Sequence, residues 1–359
     1  MSNWNRPLEG LLVLETATVL AGPAVGMFFA ELGARVVKVE PPHGDVTRAW
    51  KLPSEPPDSP VSAYFSSVNH GKEHLRLNLK LPADRARFDA LLRSADVLIT
   101  NHLLEDAPKL GLDRERLRAI RPGLIHGHIK GFAAQPARPA FDAVLQAETG
   151  WISMTGADAE HLAKLPVAVI DVLAAHQLKE GVLVALLQRA RTGQGAYVEV
   201  SLEEASLAGL MNQASNHLMT GAVAGPLGTL HPNIAPYGEL FICGDGGRII
   251  LAVGSDAQFK ALCEVLDLPA LPEDERYSSN RSRVMHRAAL AVALAPAFLT
   301  SERDALLSRL IAAGVPAGAV RRLDEVLQSP VAKGMLAEEV LDGLPTSRLR
   351  GNAFRIAPL

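Results

Sequence analysis

Cysteine is nearly absent: the 359-residue chain has Cys243 and Cys263 and no others. Their spacing matches no Cys-x-x-Cys site, so neither a zinc ligand set nor a disulfide framework is expected. Long hydrophobic runs are missing too. The longest, Ala288 to Leu299, is 12 residues and contains Pro296, too short to span a bilayer. Charge of one sign is not in excess. Against 36 Lys and Arg stand 39 Asp and Glu, a formal net charge of −3, which leaves no electrostatic footprint for nucleic acid. The start, Met1-Ser-Asn-Trp-Asn-Arg6, lacks the apolar core of a secretory signal. These absences predict a cytoplasmic protein of a reducing compartment, with neither membrane nor nucleic acid as partner. Hydrophobic residues at 48% and charged residues at 21% describe an ordinary globular chain with a sizeable core. The length suggests two domains, or one large domain with an insertion.

Several motifs are missing as well. The loop after the first expected strand has no Gly-x-Gly-x-x-Gly, which weakens a nicotinamide-binding reading of Leu11–Glu40 with Glu40 on a ribose. There is no phosphate-binding Walker loop and no Gly-x-Ser-x-Gly elbow. Gly193-Gln-Gly195 follows a helical pattern, so it reads as a helix stop. His126 and His128 lie two apart on an expected strand and face the same side. With no third ligand at a recognisable spacing they read as packing or hydrogen-bonding residues, and no metal is expected. The basic cluster Arg114–Arg121 alternates with Glu115, Leu117 and Ile120, as on the solvated face of a helix.

What is present is alternation. Leu11–Leu14, Arg35–Glu40, Val97–Ile99, Leu124–Ile129 and Tyr197–Val200 read as strands. Between them run helical stretches through Met27–Leu32, Ala83–Arg93 and Arg114–Ile120, and Glu203–Thr220 follows as another helix. This order predicts an α/β fold with a parallel sheet covered by helices. After Gly221 the character changes. Tyr237–Cys243 and Arg248–Val253 around Gly244-Asp-Gly-Gly247 carry a hairpin signal, and helical patterns follow at 257–266, 281–299 and 303–313. The sequence therefore divides into a large domain, 1–221, and a smaller α+β domain, 222–325. The stretch Pro166–Ile170 reads as a short buried strand ending at Asp171, with a helix from Val172 to Thr192. An Asp at a strand-to-helix junction caps the helix or serves a ligand, since ligands collect at the carboxyl ends of strands in open α/β sheets.

With these elements in order, the chain resembles the family III CoA-transferases, a group containing formyl-CoA and carnitine CoA-transferases. The resemblance runs from Pro7 to about Ala357. It rests on Leu20-Ala-Gly-Pro23, Leu32-Gly-Ala-Arg-Val-Val-Lys-Val-Glu-Pro41, Gly44-Asp-Val-Thr-Arg48, Ala95-Asp-Val-Leu-Ile-Thr-Asn101, His231-Pro-Asn-Ile-Ala-Pro-Tyr237 and Ala313-Gly-Val-Pro-Ala-Gly318. The resemblance implies a Rossmann-like large domain, a smaller domain, a segment 326–359 returning to the large domain, and an interlocked homodimer.

It also implies an activity: transfer of CoA between an acyl-CoA thioester and a free carboxylic acid. Asp171 matches the catalytic aspartate, which forms an acyl mixed anhydride. Coenzyme A enters as substrate, and no permanently bound cofactor is expected. CoA-contacting positions carried over are Leu20 and Ala21, the segment Leu77, Asn78, Leu79 and Lys80, then Asn101, His102 and Lys109. Phe141 and Asp142 match a pair near the thioester. Phe141 separates two chemistries. The related α-methylacyl-CoA racemases place a His before the equivalent Asp, and phenylalanine cannot transfer a proton. Transferase is favoured over racemase, and an intact Asp171 disfavours a non-catalytic CoA-binding protein. Three departures accompany the resemblance. Leu20 stands where formyl-CoA transferase has a glutamine, and 225–231 lacks its run of glycines. Many members also continue past the position of Ile356 into a tail that packs on the large domain, so that edge is expected to be covered differently here.

Overall fold

The computed structural model describes residues 4–358; Met1–Asn3 and Leu359, the ends of the first and last expected segments, lie outside the described residues. The chain forms two compact units. One comprises the chain up to Trp151, Lys164–Val223 and the segment from Pro330 onward; the other comprises Ile152–Ala163 and Ala224–Ser329. Among the described residues no helix is long and apolar enough to cross a membrane.

The first unit is built on six strands: β1 (Leu12–Glu15), β2 (Arg35–Glu40), β3 (Glu73–Arg76), β4 (Val97–Thr100), β5 (Ile125–Lys130) and β6 (Ala196–Ser201). Their order is β3-β2-β1-β4-β5-β6, and every neighbouring pair is parallel. Alternate side chains point to opposite faces of a strand. Val13, Val97 and Ile99 therefore pack with Val25 and Phe29 of helix Ala21–Glu31 and with Leu178 and Val182 of helix Val169–Thr192. Leu14, Val37 and Leu98 face Phe88, Leu92 and Leu117 on the other side. Burial on both faces explains why Val97-Leu-Ile99 reads as a continuous apolar run. Because the order turns at β1, the loops leaving β1 and β4 diverge and open a crevice at the carboxyl end of the sheet, the place where doubly wound sheets hold ligands.

Two expected elements differ. Pro166–Ile170 is not a strand: the helix already begins at Val169. Ile170, Ala174, Leu178 and Val182 are fully buried at a four-residue interval, one helical face. Val167, by contrast, is 62% exposed, and Pro166 has no N–H to give a sheet. The expected helix Glu203–Thr220 is two helices, Leu202–Ala208 and Met211–Thr220. The break follows Gly209 and is marked by a left-handed backbone at Met211, φ 41°.

The second unit carries a three-stranded antiparallel sheet of β7 (Tyr237–Ile242), β8 (Arg248–Ala252) and β9 (Ala317–Ala319). Phe241, Ile249 and Leu251 pack against Phe259, Leu294, Phe298 and Leu310 of its helices. Beyond Pro330 a hairpin of β10 (Leu336–Leu341) and β11 (Leu344–Leu349) belongs to the first unit. Arg48 ties its turn through Asp342 at 2.7 Å and grips Glu40 with two bonds of 2.7 Å. Burial pushes the Glu40 carboxyl upward, yet Arg48, His74 and the Asp45 N–H together hold it well below the usual carboxylate range.

Candidate active site

The crevice between the β1 and β4 loops holds a cavity of about 220 Å3, lined by Thr18, Val19, Leu20, Ala21, Asn101, His102, Phe141 and Asp171 among others. Leu20 ends the turn after β1 and precedes helix Ala21–Glu31 without any side-chain cap. The first N–H groups of a helix have no intrahelical acceptor, so this turn presents open donors and the positive end of a helix dipole. Asn101, the residue after β4, fixes it: its Oδ1 accepts from Thr18 N at 3.0 Å and its Nδ2 donates to Thr18 O at 2.8 Å. Val19 sits at φ 72°, a left-handed conformation that is strained for a β-branched residue.

Asp171 lies in the first turn of helix Val169–Thr192 and is buried. The helix has no cap at Ala168; the side chain that satisfies its start is Asp142. Asp142 Oδ1 accepts from Ile170 N at 2.7 Å, and its Oδ2 accepts from Gln146 Nε2 at 2.6 Å. Gln146 Oε1 in turn accepts from Leu165 N at 2.8 Å. Asp171 is thereby released from capping. Among the described residues no hydrogen bond is made to its carboxylate, and burial, then the neighbouring Asp142 charge, pushes its pKa up to about 7. Desolvation here outweighs the helix dipole, which favours the anion.

Aromatic rings stand beside the two carboxylates. Trp50 meets Tyr64 edge-on at 5.2 Å and Phe141 at 6.5 Å. The Tyr64 phenol, already neutral at pH 7, is pushed up further to about 12 by burial and by Asp171 and Asp142, which places a neutral O–H near the carboxylates. Neither Trp50 nor Tyr64 was legible as a site residue, although Trp50 lies two residues past the Gly44–Arg48 motif. A buried acid with a raised pKa, open helix N–H groups and a neutral phenol form a constellation suited to covalent acyl chemistry.

The family model for CoA-transferase family III matches residues 8–350. The chain belongs to that family. This CoA-transferase is 36% identical over 353 residues to a succinate–glutarate CoA-transferase of Agrobacterium fabrum, covering 96% of this chain and 88% of that one. It is 35% identical to an acetyl-CoA:oxalate CoA-transferase of Acetobacter aceti, over 92% of this chain and 85% of the relative. A crystal structure of a CAIB/BAIF family protein from Brucella suis superposes with a TM-score of 0.86 at 36% identity, over 98% and 93% of the two chains. The transferase thus works on a CoA thioester and a carboxylate.

The carried-over positions fall around two adjoining cavities. Leu20, Ala21, Phe141 and Asp171 line the first. Leu77, Asn78, Leu79 and Lys80 line a second, of about 480 Å3. Asn101 and His102 line both. Asp142 lines neither cavity and caps the helix start next to Asp171, as described. Lys109 lines neither cavity; its ammonium is exposed and pairs with Asp106 at 2.8 Å. His102 is kept neutral, its pKa lowered by burial to about 4. Behind it, Thr100 Oγ1 lies 2.9 Å from His126 Nε2 and 2.7 Å from His128 Nδ1, so the paired strand histidines share one hydroxyl. Among the described residues no group of three or more His, Cys, Asp or Glu side chains is placed to hold a metal ion.

Proposed function

We propose that Asp171 is the covalent nucleophile of CoA transfer, a reading carried by its buried, unbonded carboxylate in the cavity beside the open Leu20–Ala21 turn. The ionised carboxylate attacks the carbonyl carbon of the donor acyl-CoA. The C–S bond breaks, the electron pair leaves with the CoA thiolate, and an aspartyl mixed anhydride forms. The thiolate then attacks the Asp171 carbonyl carbon, expelling the donor acid and leaving an aspartyl-CoA thioester. An acceptor carboxylate repeats the two steps in reverse and leaves as the new acyl-CoA, restoring Asp171. No net proton is consumed. Each addition places negative charge on a carbonyl oxygen, and donors preorganised at the open helix start stabilise such oxyanions.

The adjoining cavity lined by Leu77–Lys80 accommodates the nucleotide part of CoA, with Lys80 near its phosphates. The curated relatives named for succinate, glutarate and oxalate support short dicarboxylates as donor and acceptor; Lys130 and Arg138 on the first cavity's wall are paired with Glu199 and Glu148. Incubation with succinyl-CoA tests the mechanism. An Asp171 adduct trapped by hydroxylamine and located by peptide mass is the expected result; exchange at near wild-type rate by folded Asp171→Ala protein would eliminate it. Retention of the α-proton in deuterated water separates this activity from racemisation.

An interlocked homodimer belongs to the same reading. Met211, Leu218 and Met219 on helix Met211–Thr220 are 73%, 83% and 84% exposed, an apolar face that a second copy would cover. Light scattering that shows a stable monomer across dilution would refute it.

A further inference from the structure

Three buried charges sit under the β1 turn without touching the cavity. Glu15 ends β1 and is fully buried; Lys38 opposes it in register on β2. Lys72, just before β3, is buried with them. Lys72 Nζ donates to Glu15 at 2.9 and 3.0 Å, to Asn69 Oδ1 at 3.0 Å and to the backbone oxygen of Pro23 at 2.8 Å. Lys38 Nζ donates to Glu15 at 3.0 Å and to the backbone oxygen of Ala17 at 2.8 Å, and pairs with Asp45 at 3.0 Å. Asp45 also receives the Val19 N–H, at 3.5 Å.

Desolvating such a network costs stability that well-packed apolar side chains would not lose. Its geometry nevertheless has a specific outcome. Ala17 and Pro23 flank the turn that carries strained Val19, and a single carboxylate, Glu15, holds both ammonium groups that grip them. The packing leaves no slack, because a Cβ on Gly26 would lie 1.8 Å from Glu15 Oε2. A strained conformation persists only where its surroundings over-determine it, and here the tethers do so.

We infer that Lys38 and Lys72 are positioning residues for the transfer reaction: by clamping Ala17 O and Pro23 O onto Glu15, they hold the open Leu20–Ala21 helix start in place beside Asp171. The inference rests on the reading of Asp171 as nucleophile. A clamp of this kind acts on transition-state geometry, so its loss lowers turnover more than it weakens acyl-CoA binding.

The test uses the full-length enzyme with three variants. Lys72→Ala opens a space for a small amine. Lys72→Met with Glu15→Gln removes one positive and one negative charge, leaving Lys38 paired with Asp45, and so guards against failure to fold. Asp171→Ala is the control for the chemistry. The expected result for the folded double variant is a kcat lowered on the order of 10- to 100-fold, as small misplacements of catalytic groups produce, with KM for acyl-CoA within about threefold. Added ethylammonium should restore part of the Lys72→Ala turnover. Wild-type kcat in the folded double variant overturns the clamp. So does a kcat loss matched by an equal loss of protein able to form the Asp171 adduct, since that is a folding defect. Full turnover in the clamp variants beside an inactive Asp171→Ala protein removes this inference alone; an active Asp171→Ala protein removes the nucleophile reading.

Discussion

Replacing Asp142 by Asn should move the acid limb of the pH–rate profile downward. Asp171 must be ionised to attack, and its pKa stands at about 7 because of burial first and the Asp142 charge second. The ordinary value is 3.8, and a pKa unit corresponds to about 1.4 kcal/mol, so the site disfavours the ionised form by roughly 4 kcal/mol relative to an exposed carboxyl. Asp142 supplies the smaller share. Removing its charge should therefore lower the apparent pKa, a value belonging to the coupled site as a whole, while burial continues to hold it above the ordinary range. Well below pH 7 the ionised fraction, and kcat/KM with it, would rise about tenfold for each pKa unit removed. A second effect accompanies the first. Asp142 accepts from both Ile170 N and Gln146 Nε2, and an amide cannot accept with both atoms. Gln146 cannot turn to compensate without losing Leu165 N, so one buried hydrogen bond is lost, at about 1–3 kcal/mol of stability. The assay is kcat/KM for acyl-CoA from pH 5 to 9, normalised to the plateau, beside thermal melts. An acid limb that stays in place or moves upward would show that Asp142 does not set the ionisation of Asp171.

Two further outcomes follow from buried titratable groups. Asp171→Asn should raise thermal stability at pH 8, where the folded protein otherwise holds a desolvated carboxylate. With a folded pKa of about 7 above the ordinary 3.8, the native state binds the extra proton, so the penalty grows as pH rises through that window and the variant's gain should vanish below pH 4. A gain that persists in acid, or none at pH 8, contradicts the buried-charge account. His102, His126 and His128 carry pKa values lowered by burial to about 4, 3 and 3. The unfolded chain protonates them near the ordinary 6.5, so stability is lost as pH falls below that value, by about 2 kcal/mol per histidine at pH 5. Urea unfolding at pH 7 and pH 5 should show this loss, reduced by one such increment in His128→Gln; an equal loss in both proteins would exclude the histidine cluster as its source.

The parallel sheet was legible because its inner strands are buried on both faces. Val97-Leu-Ile99 and Arg35–Glu40 stand out from their flanks, and their limits in the structure agree closely. β3 escaped notice because Glu73-His-Leu-Arg76 is an edge strand, paired on one side by β2 and part-exposed, so neither a continuous apolar run nor clean alternation marks it. β10 and β11 alternate instead of running apolar, and their charged residues conceal a hairpin whose anchors are the remote Arg48 and Glu31.

The site divides along the same line. Asp171 drew attention as a carboxylate at the start of an amphipathic run, although the strand expected before it is absent and the helix begins two residues earlier than Asp171. What the local pattern does not contain is the identity of the residue that caps this helix. A first turn whose Ala168 offers no side-chain oxygen has an N–H to satisfy, and the acceptor comes from Asp142, 28 residues upstream. Capping by a remote carboxylate leaves the helix's own Asp171 unbonded, and the same remote charge raises its pKa. One side chain thus both frees the proposed nucleophile and adds to the burial that raises the pH at which it ionises. The Gly44–Arg48 and Arg35–Pro41 segments show the converse. They stand out as motifs, yet Lys38, Glu40, Asp45 and Arg48 turn inward to one another and to the β1 turn. Their pattern marks the scaffold that shapes the crevice, and the groups that meet the reacting atoms lie on the segments it holds.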